Sequence, residues 1–177
     1  MSFDPADPIG SVFAGVVGKR AWLVRKGYGS FLTMEFGERH LEVREPIPGS
    51  LARGLRRPSV TVRGDWHLWV YCCEWTITEG GAQLAHSESD DREIERVAHL
   101  LNGLTLLAVD VDPVTAKARF RFELETELTT ATMGPEYECW MLYAPDGRVF
   151  TLRGNASYSI GPGDVTPADQ TWVPLPQ

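Results

Sequence analysis

The residues best equipped for chemistry lie in one stretch, Trp66-His67-Leu68-Trp69-Val70-Tyr71-Cys72-Cys73-Glu74-Trp75-Thr76-Ile77. Drawn as a single strand, alternate side chains share a face. His67, Trp69, Tyr71, Cys73, Trp75 and Ile77 then fall on one side, with Trp66, Leu68, Val70, Cys72 and Glu74 on the other. Rings surrounding an imidazole make a surface on which a small ligand can be stacked and hydrogen-bonded, and histidine titrates close to neutrality. His67, Trp69, Tyr71 and Trp75 are therefore the candidate ligand-binding residues. Glu74 joins them because a carboxylate on an otherwise apolar face needs a cation, such as Arg119 or Arg121, or a wet cavity. The competing expectation is structural. A strand apolar on both faces reads as a central strand covered on both sides, with its tryptophans in the core.

A second group is cationic. Segment 45–59, EPIPGSLARGLRRPS, reads as a loop carrying Arg53, Arg56 and Arg57, flanked by Arg44 and Arg63. The acids between Asp65 and Glu95 form a patch of opposite sign, and separated patches of this kind steer a protein partner. Arg53, Arg56 and Arg57 are the candidate partner-binding residues. His40, Glu42 and Arg44 share one face of a short strand and read as a solvated face.

Other chemistries lack their motifs. Gly27-Tyr28-Gly29-Ser30 is followed by a strand, whereas a phosphate cradle needs a helix N-terminus after the glycines. No Gly-x-Ser-x-Gly elbow surrounds a serine. Cys72, Cys73 and Cys139 lack Cys-x-x-Cys or Cys/His zinc spacing. They read as reduced, small apolar residues. No catalytic residue, metal set or cofactor is expected, and an enzyme is the weakest of the function classes.

The 177 residues hold 24 Asp+Glu against 17 Lys+Arg, a formal charge of −7. That balance disfavours binding to nucleic acid, which depends on concentrated Lys and Arg. No apolar run reaches the roughly 20 residues of a membrane helix. The opening MSFDPADPIGSVFAGVVGKR lacks the basic-then-apolar order of a signal peptide, so a cytoplasmic location is expected.

The elements that would position these groups are mostly strands. Ala116, Ala118, Phe120, Phe122 and Leu124 alternate with Lys117, Arg119, Arg121 and Glu123, the pattern of a half-buried strand. It pairs with Leu104–Val111 through Asp112-Pro113. Tyr137–Tyr143 and Arg148–Arg153 flank Ala144-Pro145-Asp146-Gly147, a hairpin with its turn spelled out. Ile94, Val97, Ala98 and Leu101 give the single helical stripe, with Ser87 or Ser89 as cap. The expected fold is mainly β (α+β). About ten strands run in an antiparallel meander curled into a sandwich or partial barrel, with one packed α-helix over about 89–102. Residues 1–160 form a single domain and 161–177 a proline-rich C-terminal tail, either extended along the domain and pinned by Trp172 or disordered.

GYGSFLTMEFGERHLEVREP followed by RGDWHLWVYCCEW resembles small uncharacterised bacterial β-rich proteins with a Gly-x-Gly-Ser-Phe-Leu-Thr hairpin and a Trp-rich strand. That resemblance implies no activity and no site residue. The overall style, acidic and β-rich with one helix, is similar to immunity proteins that neutralise toxins. The function expected first is thus a non-enzymatic protein-binding module, immunity-like. The alternative is a small-ligand-binding barrel or sandwich using the aromatic face of strand 66–77.

Overall fold

Alternation of apolar and polar side chains builds most of the molecule, whose computed structural model describes residues 3–46, 57–163, 165 and 169–177. In chain order the elements are α1 (Pro8–Phe13), β1 (Trp22–Lys26), β2 (Leu32–Phe36), β3 (His40–Arg44), β4 (Ser59–Arg63), β5 (Trp66–Val70), β6 (Cys73–Glu79) and β7 (Ala82–His86). They continue with α2 (Asp91–Leu100), β8 (Leu106–Val111), β9 (Ala118–Phe122), β10 (Thr126–Thr132), β11 (Glu138–Tyr143), β12 (Arg148–Arg153), β13 (Ser157–Pro162) and β14 (Val173–Pro174).

The strands form a seven-stranded sheet ordered β1-β2-β5-β11-β12-β13-β14, a five-stranded sheet ordered β7-β6-β10-β9-β8, and a two-stranded ribbon of β3 and β4. Every pairing among them is antiparallel. The result is a β-rich α+β sandwich and not a closed barrel. The expected hairpins β8–β9 and β11–β12 form as read, with Gly147 at φ 79° closing the second turn. The order is not a simple meander, because β2 pairs with β5 across the inserted ribbon, β5 with β11, and β6 with β10.

Trp140, Phe150, Phe120 and Phe13 meet between the sheets, Phe13 edge-on to both Phe120 and Trp140 at 5.9 and 5.6 Å between ring centres. Phe13 comes from α1, a second helix that the sequence pattern did not announce. It is six residues long, too short for a helical period to show, and rests on Asp7 as N-cap with Pro8 in the first turn. The expected helix, α2, begins with Asp90 as its cap, whose carboxylate accepts the Glu93 N–H at 3.0 Å; neither Ser87 nor Ser89 serves. Ser89 Oγ accepts the His86 N–H instead. Beyond α2, the side chain of Asn102 accepts the N–H of Val24, beside the bulge in β1 where Leu23 has φ 52°.

Two local expectations are corrected and one alternative is decided. Residues 66–77 are not one strand. Tyr71 and Cys72 donate their N–H groups to the carbonyls of Cys139 and Glu138, and the chain then leaves one sheet for the other. The extra residue shifts the alternation by one, so Trp66, Leu68 and Val70 point inward, followed by Cys73, Trp75 and Ile77. Leu124 does not continue the buried row of β9. Strand β9 ends at Phe122, Leu124 and Glu125 turn through φ 59° and 54°, and Leu124 is exposed. Of the two alternatives for the proline-rich C-terminal segment, its described end takes the docked one: Val173–Pro174 pairs with β13, Leu175 is buried, and the Arg153 guanidinium lies 3.6 Å from the Trp172 ring centre.

Candidate functional site

The two outer faces of the sandwich differ in kind. On the five-stranded sheet, Thr76, Thr129, Arg119 and Asp110 lie in one cross-strand row, and Thr78, Glu127 and Arg121 in the next. Arg119 pairs with Glu127 and Arg121 with Asp110, an ordinary solvated surface. On the seven-stranded sheet, the same register aligns Glu35, His67, Tyr143 and Val149, with Thr33, Trp69, Met141, Thr151 and Ser159 in the neighbouring row. Phe31 and Tyr71 extend this aromatic surface: Phe31 lies 6.2 Å from Trp69 and 4.5 Å from Tyr71, and Trp69 lies 4.7 Å from Tyr71, between ring centres. All five large side chains, Phe31, Trp69, Tyr71, Met141 and Tyr143, are half-buried.

Ribbon β3–β4 stands over one end of this face. Its register pairs His40 with Arg63 and Glu42 with Thr61, so these side chains share one side of the ribbon. A cleft of about 650 Å³ opens there, lined by His40, Glu42, Arg44 and Arg63 from the ribbon and by His67, Trp69 and Tyr143 from the sheet. The residues that read as a solvated strand face thus line a cleft opposite His67. A second cleft, of about 380 Å³, shares Trp69 and Tyr143 and lies between the sheet and the C-terminal segment, against Met141, Glu138, Asp169 and Gln170.

Glu35 organises the first cleft. Its side chain is only 2% exposed. One oxygen, Oε1, accepts from Arg63 Nη1 at 3.0 Å and lies 2.8 Å from His67 Nδ1; the other accepts the Gly64 N–H at 3.1 Å. A Cβ at Gly64 would sit 2.5 Å from the Phe36 carbonyl oxygen, so only glycine lets this amide approach. Burial alone would raise the Glu35 pKa. Hydrogen bonding and charge from His67, the Gly64 N–H and Arg63 together outweigh it and hold the carboxyl below its ordinary value. Arg63 Nε also donates to Glu42 Oε2 at 3.1 Å across the ribbon, so the same side chain joins the two ribbon strands and, through Glu35, ties the ribbon to the sheet.

Because a carboxylate only accepts, the His67 proton must lie on Nδ1, and Nε2 is left facing away from Glu35. Nε2 has no hydrogen-bond partner among the described residues. The Tyr143 ring lies 5.5 Å from the imidazole, and burial, with the Glu138 charge, pushes its phenol pKa up. Its hydroxyl donates to Met141 Sδ at 3.7 Å.

His67, Trp69 and Tyr71 therefore share the outer face as the sequence reading expected, but Trp75 and Glu74 do not join them. Trp75 is in the core, its indole N–H donating to the Ser30 carbonyl at 2.6 Å. Glu74 is exposed on the far sheet and needs no buried cation; Arg119 and Arg121 are engaged elsewhere. Strand β5 is not covered on both sides as expected: its inner face is sealed and its outer face half-open. Arg57 is exposed, while Arg53 and Arg56 lie outside the described residues.

Sequence reasoning missed Glu35, Arg63, Tyr143 and Gln170. The only signal was Glu35 itself, an acid between Met34 and Phe36 in an otherwise apolar strand. Among the described residues no three His, Cys, Asp or Glu side chains gather in a metal-binding arrangement. All three cysteines are free, with Cys73 and Cys139 buried; Cys73 Sγ donates to the Cys139 carbonyl at 3.1 Å. No helix among the described residues is long and apolar enough to cross a membrane. No family model, curated protein or solved structure matches this chain.

Proposed function

We propose that the protein is a binding module whose binding surface is the aromatic outer face of the seven-stranded sheet. The observation that carries this reading is the contrast between the two outer faces. One is threonine and paired charge, and the other is Phe31, Trp69, Tyr71, Met141 and Tyr143 around two adjoining clefts. Half-exposed rings on the solvent side of a sheet are costly to leave wet, and contiguous patches of this kind mark recognition sites. A cleft of about 650 Å³ falls in the size range of sites for small molecules and for anchoring side chains of a protein partner. Glu35, itself fixed by Arg63 and the Gly64 amide, holds the His67 ring and gives the surface one fixed polar group among apolar ones.

The test is a fragment and peptide screen read by NMR at the six indole N–H signals. Ligands should move the Trp69 signal and leave that of Trp75 in place, and Trp69→Ala should abolish binding, followed there on the ligand's own signals, while the protein stays folded. Ligands that map to the threonine face of the other sheet, or that survive Trp69→Ala, would overturn the assignment.

A further inference from the structure

We infer that this groove takes a cationic, hydrogen-bond-donating ligand of the alkylammonium class, lying across Trp69 and Tyr143. The inference rests on the binding surface proposed above and adds the chemistry of what it binds. Trp69 and Tyr143 line both clefts, so the two form one groove crossing the sheet. The second cleft is lined by Glu138 and Asp169 and by no lysine or arginine among the described residues, Glu138 pairing at 3.9 Å with Arg153 beyond the lining. In the first, the carboxylates of Glu42 and Asp65, with Glu35 behind them, outnumber the guanidiniums of Arg44 and Arg63. Arg63 is already divided between Glu35 and Glu42 at 3.0 and 3.1 Å. Among the described residues the carboxylates Glu35, Glu42, Asp65, Glu138 and Asp169 outnumber the guanidiniums Arg44, Arg63 and Arg153, and aromatic faces attract cations further.

A separate observation gives the ligand its donors. Gln170 Oε1, in the wall of the second cleft, is shielded from solvent and has no hydrogen-bond partner among the described residues. A buried acceptor without a donor is unusual in a folded protein and calls for one. At the other end, His67 Nδ1 is committed to Glu35, which leaves Nε2 as a second acceptor when the ring is neutral. Acceptors at both ends and rings between them suit an elongated amine with an aliphatic body. An anion would meet the carboxylates of both clefts, and a purely apolar ligand would leave Gln170 unpaired.

The probes are spermidine, n-butylammonium, an acetyl-capped lysine-rich pentapeptide and succinate, each titrated into the full chain at low salt and followed at the Trp69 indole signal. Saturable binding of the amines, with succinate at least tenfold weaker, is the expected result. Gln170→Leu should weaken spermidine about tenfold, the worth of one buried hydrogen bond, without lowering Tm. Glu138→Gln should weaken it as well, so the inference does not hang on one variant. Tighter binding of the pentapeptide would assign the amine to a protein partner, and tighter binding of spermidine to a free polyamine. Succinate binding better than the amines at Trp69 would overturn the ligand class and leave the surface standing. Absence of binding by every amine would also overturn the class, and the fragment screen then decides the surface independently.

Discussion

Glu35 is nearly sealed from water, and its charge is tolerated because both oxygens are filled by Arg63, His67 and the Gly64 amide. Removing the charge strands its partners. Glu35→Gln should cost about 2–3 kcal/mol at neutral pH, below the value for a fully buried pair because the Arg63 side chain keeps 30% of its exposure. The folded-state pKa lies below the ordinary 4.5, so the carboxylate contributes its full stability above that pH and loses it as pH falls through the lower folded value. The gap in stability between the native protein and Glu35→Gln should then shrink from pH 4.5 downward in urea melts; a gap independent of pH would mean the carboxyl is not held in its charged form. The tryptophans separate just as cleanly. Trp75→Ala opens a cavity in the core and should cost about 3–5 kcal/mol, whereas half-exposed Trp69 should cost only about 1 kcal/mol. Equal losses at the two positions would return Trp69 to the core and remove the binding surface.

At the scale of elements, ribbon β3–β4 is the weak point. A two-stranded ribbon is marginal alone, and this one exposes Leu41, Val43, Val60 and Val62 on its outer side. Its fastening to the sheet runs through Arg63, which bonds Glu35. Amide exchange over His40–Arg44 and Ser59–Arg63 should outpace that of β5 and β11, and Glu35→Gln should accelerate the ribbon selectively. Uniform protection would show that the ribbon is held by more than this contact. The C-terminal strand is the opposite case. Deleting residues 172–177 removes buried Leu175 and the Trp172–Arg153 stack and should cost about 2 kcal/mol in denaturant melts. A deletion without effect would make β14 a passive extension.

The whole molecule carries a charge of −7, and its aromatic groove is flanked by Glu42, Asp65, Glu138 and Asp169. Spermidine affinity should therefore fall steeply as salt rises through about 0.15 M, where screening shortens to roughly 8 Å. An affinity indifferent to salt would point to apolar contact alone. Much of the frame that carries this groove was legible beforehand. Alternation at Ala118, Phe120 and Phe122, the Ala144–Gly147 turn and the stripe of α2 depend on neighbours a few residues apart, and local periodicity determines them. His67, Trp69 and Tyr71 could be picked out for the same reason. The split of 66–77 could not, because Tyr71 and Cys72 change sheets through bonds to Glu138 and Cys139, far along the chain. Nor could the site's polar heart, since Glu35, Arg63 and His67 meet only when the ribbon folds over β2 and β5. The sequence by itself determined the segments with a clear local period or turn, β9, the β11–β12 hairpin and α2, but not the six-residue α1. The tertiary structure alone decided which sheet each strand joins, which tryptophan is buried, and which charges face one another, because those depend on long-range pairing that no local pattern encodes.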